Sequence, residues 1–136
     1  MIRKPRALQP GDRIAVIAPA SSFAVEAFHA GLVELEALGF VPTADMSVYE
    51  RSRYTAGPPE VRAAALRQAW QDPAIKGIVA ARGGYGSVQL LPLLDPADFA
   101  GAAKPFIGYS DTTSLLAWLT LTCGIVAFHG PMIDGR

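Results

Sequence analysis

A serine that follows a short apolar run and precedes an amphipathic segment is the clearest candidate for chemistry in this sequence. In Gly108-Tyr109-Ser110-Asp111-Thr112 it lies between a predicted strand and a predicted helix. A tight turn there lifts the hydroxyl away from the sheet, as in the G-x-S-x-G nucleophile elbow of hydrolases. The match is partial, because Thr112 stands at the last glycine position. From spacing alone, a helix cap formed by Ser110 or Asp111 is the favoured interpretation.

A second candidate is the glycine-rich segment 82–86 (Arg-Gly-Gly-Tyr-Gly), which follows another predicted strand. Glycines allow the backbone to approach a ligand closely. The amides of Gly83 or Gly84, together with that of Asp111, would form the oxyanion hole that an acyl-transfer enzyme needs. Two alternatives remain open. The segment either cradles a phosphate, although it lacks the Walker lysine and the G-x-G-x-x-G spacing, or makes a plain turn, which is favoured for the segment taken alone.

Four further side chains are candidates for substrate contact. The guanidinium of Arg82 suits a bidentate grip on a substrate carboxylate, although a salt bridge that holds the loop explains it at least as well. His129 follows the last predicted strand and either lines the pocket or anchors the turn at Gly130–Pro131, and the anchor is favoured. Tyr85 and Ser22 border the expected pocket, and Ser22 also suits a helix cap.

Alternating strand and helix patterns position these segments. The predicted strands are 14–18, 40–41, 75–80, 106–108 and 125–128, and the predicted helices follow Ser21–Ser22, begin at Pro59, lie near 88–94 and span 112–121. This alternation predicts an α/β fold, a doubly wound and mostly parallel sheet with helices on both faces. In the strand order 2-1-3-4-5 the loops 19–22, 82–86 and 109–112 meet at one edge of the sheet, where ligands bind in such folds.

The composition excludes several classes of function. The 136 residues are 51% hydrophobic and 18% charged, which suits one compact domain. Twelve basic residues balance twelve acidic ones, so we expect neither a nucleic acid nor a membrane surface as partner. Cys123 is the single cysteine, which excludes an internal disulfide framework and a thiolate zinc site. We therefore expect a soluble, cytoplasmic protein. We also expect no cofactor.

Four motifs occur in order along the chain and cover nearly all of it. They are 11–19 (Gly-Asp-Arg-Ile-Ala-Val-Ile-Ala-Pro), 81–86 (Ala-Arg-Gly-Gly-Tyr-Gly), 104–112 (Lys-Pro-Phe-Ile-Gly-Tyr-Ser-Asp-Thr) and 128–132 (Phe-His-Gly-Pro-Met). Together they resemble the LD-carboxypeptidase family, the S66 serine peptidases. This family includes murein tetrapeptide carboxypeptidases and microcin immunity peptidases.

The resemblance implies a two-domain, often dimeric enzyme with a Ser-His-Glu triad and no metal. Ser110 is then the nucleophile, and Gly83 or Gly84 and Asp111 lend the oxyanion-hole amides. Residues 1–136 correspond to the nucleophile-bearing N-terminal domain, of flavodoxin-like or class I glutamine-amidotransferase-like architecture. The catalytic Glu and His belong to a C-terminal domain outside this chain, so we expect the isolated chain to be nearly inactive.

The substrate implied by the resemblance is a cytoplasmic murein tetrapeptide, from which hydrolysis of an L,D-amide releases terminal D-alanine in peptidoglycan recycling. Two alternatives are kept. One is a microcin-immunity-type peptidase that cleaves a peptidyl nucleotide, and the other is a non-catalytic module that binds a small ligand through the glycine-rich segment.

Overall fold

A five-stranded parallel sheet forms the centre of the protein. The computed structural model describes residues 1–134. The strands are β1 (Arg13–Ile17), β2 (Val41–Thr43), β3 (Ile75–Ala80), β4 (Phe106–Gly108) and β5 (Phe128–His129). They lie in the order β2-β1-β3-β4-β5, and each neighbouring pair is parallel. The predicted α/β class and strand order are therefore confirmed.

Helices cover both faces of this sheet. The α-helices are α1 (Val25–Ala37), α2 (Pro59–Gln71) and α3 (Thr113–Leu121), and 3-10 segments span Met46–Tyr49, Ser87–Leu93, Pro96–Phe99 and Ser110–Thr112. Alternate residues of β1 enter opposite cores, because successive strand side chains point to opposite faces. Ile14 and Val16 pack with Phe28 of α1. Ala15 and Ile17 belong to the core on the side of α2 and α3. Burial on both faces explains the apolar run without alternation.

The last strand lies later in the chain than predicted. Segment 125–128 was expected to be the strand, but Ile125 forms an isolated parallel bridge with Arg3 of the N-terminal arm. The Arg3 amide donates to the Gly124 carbonyl at 2.7 Å, and the Val126 amide donates to the Arg3 carbonyl at 3.0 Å. Because the backbone groups of Gly124 and Val126 are hydrogen-bonded to Arg3, near the N-terminus, pairing with β4 starts only at Phe128.

One local prediction near the helices is wrong. The residue before α1 is Ala24, whose methyl group cannot cap the helix, so Ser21 and Ser22 do not serve as caps. The short helix expected near 88–94 is present, and it is of the 3-10 type, Ser87–Leu93. It contains Pro92, which lacks the N–H that an α-helix requires there. Within residues 1–134, no helix is both long and apolar enough to cross a membrane.

A glycine in the interior of α1 allows the segment 131–134 to pack on the helix. A Cβ at Gly31 would overlap the carbonyl oxygen of Ile133. The amide of Asp134 donates to the carbonyl of Ala81 at 2.8 Å, which ties this segment to the loop after β3. Glycine costs about 1 kcal/mol relative to alanine inside a helix, so Gly31 is explained by this close approach.

We predict that Gly31→Ala lowers the free energy of unfolding by about 1–3 kcal/mol, because overlap with backbone atoms outweighs the gain in helix propensity. Urea denaturation followed by circular dichroism measures the change. Gly101→Ala is the matched control, since a Cβ at Gly101 meets nothing within 4 Å; it should change stability by less than about 0.5 kcal/mol. A stabilised Gly31→Ala protein would contradict the packing described here.

Candidate active site

The turn after β4 holds Ser110 in an unusual backbone conformation. Ser110 has a φ of 55°, and among residues 1–134 only Arg53 is another non-glycine residue with positive φ. Such a conformation costs about 1–3 kcal/mol and persists only where its surroundings enforce it. Ser110 is exposed at the carboxyl edge of the sheet, between β4 and α3. A strained strand-to-helix turn with an exposed serine is the backbone geometry of a nucleophile elbow.

Thr112, which departs from the G-x-S-x-G pattern, closes this turn. Its side chain is fully buried. Its Oγ1 accepts a hydrogen bond from the Tyr109 amide at 2.6 Å and donates to the Tyr109 carbonyl at 2.7 Å. A Cβ at Gly108 would lie 3.0 Å from the Thr112 Cβ, which explains the glycine at that position. The threonine hydroxyl therefore stabilises the bend through side-chain bonds to the backbone.

The helix-cap interpretation of this serine and aspartate is wrong. The residue before α3 is Thr112, whose hydroxyl bonds back to Tyr109. The carboxylate of Asp111 instead accepts the amide of Ser87 at 3.0 Å, and the Ser87 hydroxyl donates to the Asp111 carbonyl at 2.7 Å. Asp111 therefore joins its own turn to the end of the glycine-rich segment.

Gly83 packs directly against the Ser110 turn. A Cβ at Gly83 would lie 2.8 Å from the Tyr109 carbonyl oxygen, 3.1 Å from the Ser110 Cβ and 3.3 Å from the Asp111 amide nitrogen. Within the described part of the chain, the amides of Gly83 and Asp111 have no hydrogen-bond acceptor. Two free N–H groups therefore lie near the exposed serine, an arrangement that can stabilise negative charge on a ligand oxygen.

The loop after β1 completes the predicted convergence of three loops. The Ser21 amide donates to the Gly83 carbonyl at 3.2 Å, and the Ser21 hydroxyl accepts the Tyr85 amide at 3.0 Å. Gly84 has a φ of 92°, and a Cβ there would overlap the Ser21 hydroxyl. Gly83 is thus the glycine next to Ser110, whereas Gly84 is the glycine that admits Ser21.

The remaining candidate residues of these loops are Tyr85, Arg82 and Ser22. The ring of Tyr85 is exposed and packs edge-on against Tyr54, with centroids 5.5 Å apart. Arg82 donates to the carbonyl of Ser22 at 2.9 Å, and its Nε lies 3.7 Å from the carboxylate of Asp134. These contacts are those expected if a salt bridge of Arg82 holds the loop. Ser22 contributes only its backbone carbonyl to them.

His129 contacts the Ser110 turn itself. Its Nε2 accepts the backbone amide of Ser110 at 3.2 Å. Its ring lies 5.0 Å from the ring of Tyr109, tilted by 36°. The sequence analysis interpreted His129 either as part of the pocket wall or as an anchor for the turn at 130–131. Neither interpretation includes the contact with Ser110, because that contact arises from the pairing of β5 with β4.

Arg62 is a buried residue of this region that the sequence analysis missed. It is 2% exposed and donates to the carbonyls of Pro19 at 2.8 Å, Gly57 at 2.9 Å and Gly86 at 2.9 Å. Burial lowers the pKa of the Arg62 guanidinium, an effect that the negative charges of Asp111 and Glu60 oppose. Helical spacing could have indicated the burial of Arg62, because this residue precedes the buried Leu66 by one turn of α2.

An apolar groove of about 770 Å³ lies beside this site, between α1 and the sheet. Leu35, Ile107 and Met132 are among its lining residues. Tyr109 also lines it, whereas Ser110 does not. The groove is therefore adjacent to the serine turn and distinct from it.

Comparison with known proteins identifies the family. Residues 14–130 match the family Peptidase S66, described as LD-carboxypeptidase N-terminal domain. The chain belongs to the LD-carboxypeptidase family. It is 41% identical over 129 residues to the murein tetrapeptide carboxypeptidase of Pseudomonas aeruginosa, covering 93% of this chain and 42% of that protein. It is 33% identical over 129 residues to the microcin C7 self-immunity protein MccF of Escherichia coli, covering 93% and 38%.

Solved structures of LD-carboxypeptidase relatives share this fold. An MccF-like protein from Bacillus anthracis matches with a TM-score of 0.92 and 32% identity, over 97% of this chain and 41% of that one. The muramoyltetrapeptide carboxypeptidase from Oxalobacter formigenes matches with a TM-score of 0.81 and 32% identity, over 91% and 41%. The chain thus spans about two fifths of the length of the relatives it matches.

We predict that Arg62→Lys lowers the free energy of unfolding by about 2–4 kcal/mol. A lysine ammonium is a compact charge that cannot reach the separate carbonyls bound by the planar guanidinium, so buried groups lose their partners. Urea denaturation measures the loss. Arg67→Lys on the same helix is the control: Arg67 makes one long contact, 3.4 Å to the Leu93 carbonyl, and its replacement should change stability by less than about 0.5 kcal/mol. If Arg62→Lys and Arg67→Lys lowered the free energy of unfolding equally, the structural role given to the buried Arg62 would be contradicted.

Proposed function

We propose that this LD-carboxypeptidase chain carries the nucleophile of a serine peptidase that releases terminal D-alanine from murein tetrapeptide in the cytoplasm. The observation that supports it most is Ser110, exposed at positive φ beside the free amides of Gly83 and Asp111. The similarity to a murein tetrapeptide carboxypeptidase over nearly the whole chain supports the substrate class.

In the proposed reaction the Ser110 hydroxyl attacks the carbonyl carbon of the L,D-amide, and its proton passes to a general base. Negative charge forms on the carbonyl oxygen, which accepts hydrogen bonds from the backbone amides of Gly83 and Asp111. The amide C–N bond then breaks, and the departing D-alanine nitrogen takes the proton. Water hydrolyses the resulting acyl-enzyme in the same way and regenerates the serine.

The general base is not assigned to the described residues. The Nε2 of His129 is occupied by the Ser110 amide, and the Asp111 carboxylate is bonded to Ser87. The resemblance to the LD-carboxypeptidase family implies a His as the base and a Glu as its orienting carboxylate, both in a C-terminal domain, and we adopt that assignment. The relatives are longer than this chain, which leaves room for such a domain. The reaction uses no metal or cofactor.

A microcin-immunity-type activity is the second candidate. The microcin C7 self-immunity protein MccF matches the fold with a TM-score of 0.89 and 29% identity, and one solved structure of it contains aspartyl sulfamoyl adenosine. We favour the murein peptide because identity is higher to the murein enzyme, 41% against 33%. Both candidates use the same nucleophile and differ in the amide that is cleaved.

We predict that Ser110→Ala abolishes covalent labelling of the intact protein by a fluorophosphonate probe, because the probe needs an activated hydroxyl. Mass spectrometry of tryptic peptides locates the label. Ser52→Ala, at another exposed serine, should label as the unchanged protein does. Labelling that persists in Ser110→Ala, or a protein that never labels but binds inorganic phosphate, would instead favour the non-catalytic module.

We also predict that residues 1–136 alone release D-alanine from murein tetrapeptide at least about 10⁴-fold more slowly than the intact protein, because the general base is missing. Release is measured by coupled D-amino-acid oxidation. Parallel reactions with a peptidyl nucleotide separate the two candidate activities. Faster cleavage of the nucleotide would overturn the assignment of the substrate, and equal rates for short chain and intact protein would overturn the assignment of the base.

A further inference from the structure

We propose that His129 is a positioning residue that holds Ser110 in its left-handed backbone conformation by accepting the Ser110 amide proton. This inference rests on the proposed function for its catalytic consequence, but the contact itself does not depend on that function. The main support for this proposal is the 3.2 Å hydrogen bond from the Ser110 amide to Nε2 of His129.

The direction of this bond determines the state of the imidazole. A backbone N–H can only donate, so Nε2 must carry a free lone pair. The contact therefore requires the tautomer that holds its proton on Nδ1. A ring protonated at both nitrogens would place an N–H against the N–H of Ser110 and would oppose the turn.

Strand pairing delivers the imidazole to this position. His129 lies opposite Gly108 in the parallel pairing of β5 with β4. The amide of Gly130 donates to the carbonyl of Gly108 at 2.9 Å, which fixes the register next to the serine turn. The ring of Tyr109 packs 5.0 Å from the imidazole and limits its rotation. The two-residue strand β5 thus places the His129 Nε2 acceptor within hydrogen-bond distance of the Ser110 amide.

The contact also separates the amides near Ser110 into two groups. The Ser110 amide is bound to His129, whereas the amides of Gly83 and Asp111 have no acceptor among residues 1–134. An elbow without the His129 acceptor would leave the Ser110 amide unpaired in a strained conformation, and the turn would relax. We infer that His129 maintains the backbone conformation from which Ser110 presents its hydroxyl, while its own nitrogen takes no part in proton transfer.

Two variants separate the hydrogen bond from ring packing. His129→Gln keeps an acceptor at a similar reach but removes the ring, and His129→Phe keeps a ring against Tyr109 but removes the acceptor. In the intact protein we expect fluorophosphonate labelling of Ser110 to fall about tenfold in His129→Phe, the scale of one lost hydrogen bond, and to stay within about threefold in His129→Gln. Equal labelling rates for the two variants would overturn the proposal.

A spectroscopic measurement tests the contact independently of activity. Long-range ¹H–¹⁵N correlation spectra of the intact protein should show His129 protonated at Nδ1 and bare at Nε2. The backbone shifts of Ser110 should keep left-handed values in His129→Gln and lose them in His129→Phe. A proton found on Nε2, or unchanged Ser110 shifts in His129→Phe, would overturn the proposal. If Ser110 never labels, the proposed function fails, and the spectra still decide whether His129 holds the turn.

Discussion

The candidate site depends on one constrained residue, a serine whose backbone occupies the left-handed region. Without support, the chain between β4 and α3 would relax to a conformation of lower energy, and the hydroxyl would lose its place. Three contacts supply that support. Thr112 bonds across the turn from inside, the backbone of Gly83 packs against it from the neighbouring loop, and His129 accepts the serine amide from the adjacent strand β5. Each contact comes from a different segment, so the conformation requires the assembled sheet.

The support itself rests on a buried cation. Arg62 lies beneath the loops and binds backbone carbonyls from segments that are far apart in the chain. Carbonyl oxygens satisfy its donors, so hydrogen bonds rather than a direct ion pair offset the cost of burying the charge. The negative charge of Asp111 also favours the cation. Loop geometry and local electrostatics are therefore coupled, and the loops that meet at Ser110 behave as one unit.

Membership of the LD-carboxypeptidase family connects this geometry to acyl transfer. Among the described residues are an exposed serine and two nearby amides, which we propose as nucleophile and oxyanion hole, while the general base is assigned to the remainder of a longer protein. The apolar groove between α1 and the sheet lies next to the serine turn and shares Tyr109 with it. A structure that covers the groove would therefore contact the same turn that presents Ser110.

The amino-acid sequence by itself determined the fold class and the prominence of Ser110, because apolar runs, helical spacing and glycine clusters are local signals. The convergence of three loops followed from assuming the strand order 2-1-3-4-5, which the structure has. The sequence also determined the family, through four ordered motifs. Only the tertiary structure decided the start of β5, the bond from Asp111 to Ser87, the burial of Arg62 and the contact of His129 with Ser110. Each of these joins residues distant in the chain, and a hydrogen bond between distant residues leaves no periodic pattern in the sequence. The N-terminal arm shows this most directly, since Arg3 takes the partners that Ile125 and its neighbours would otherwise offer to the sheet.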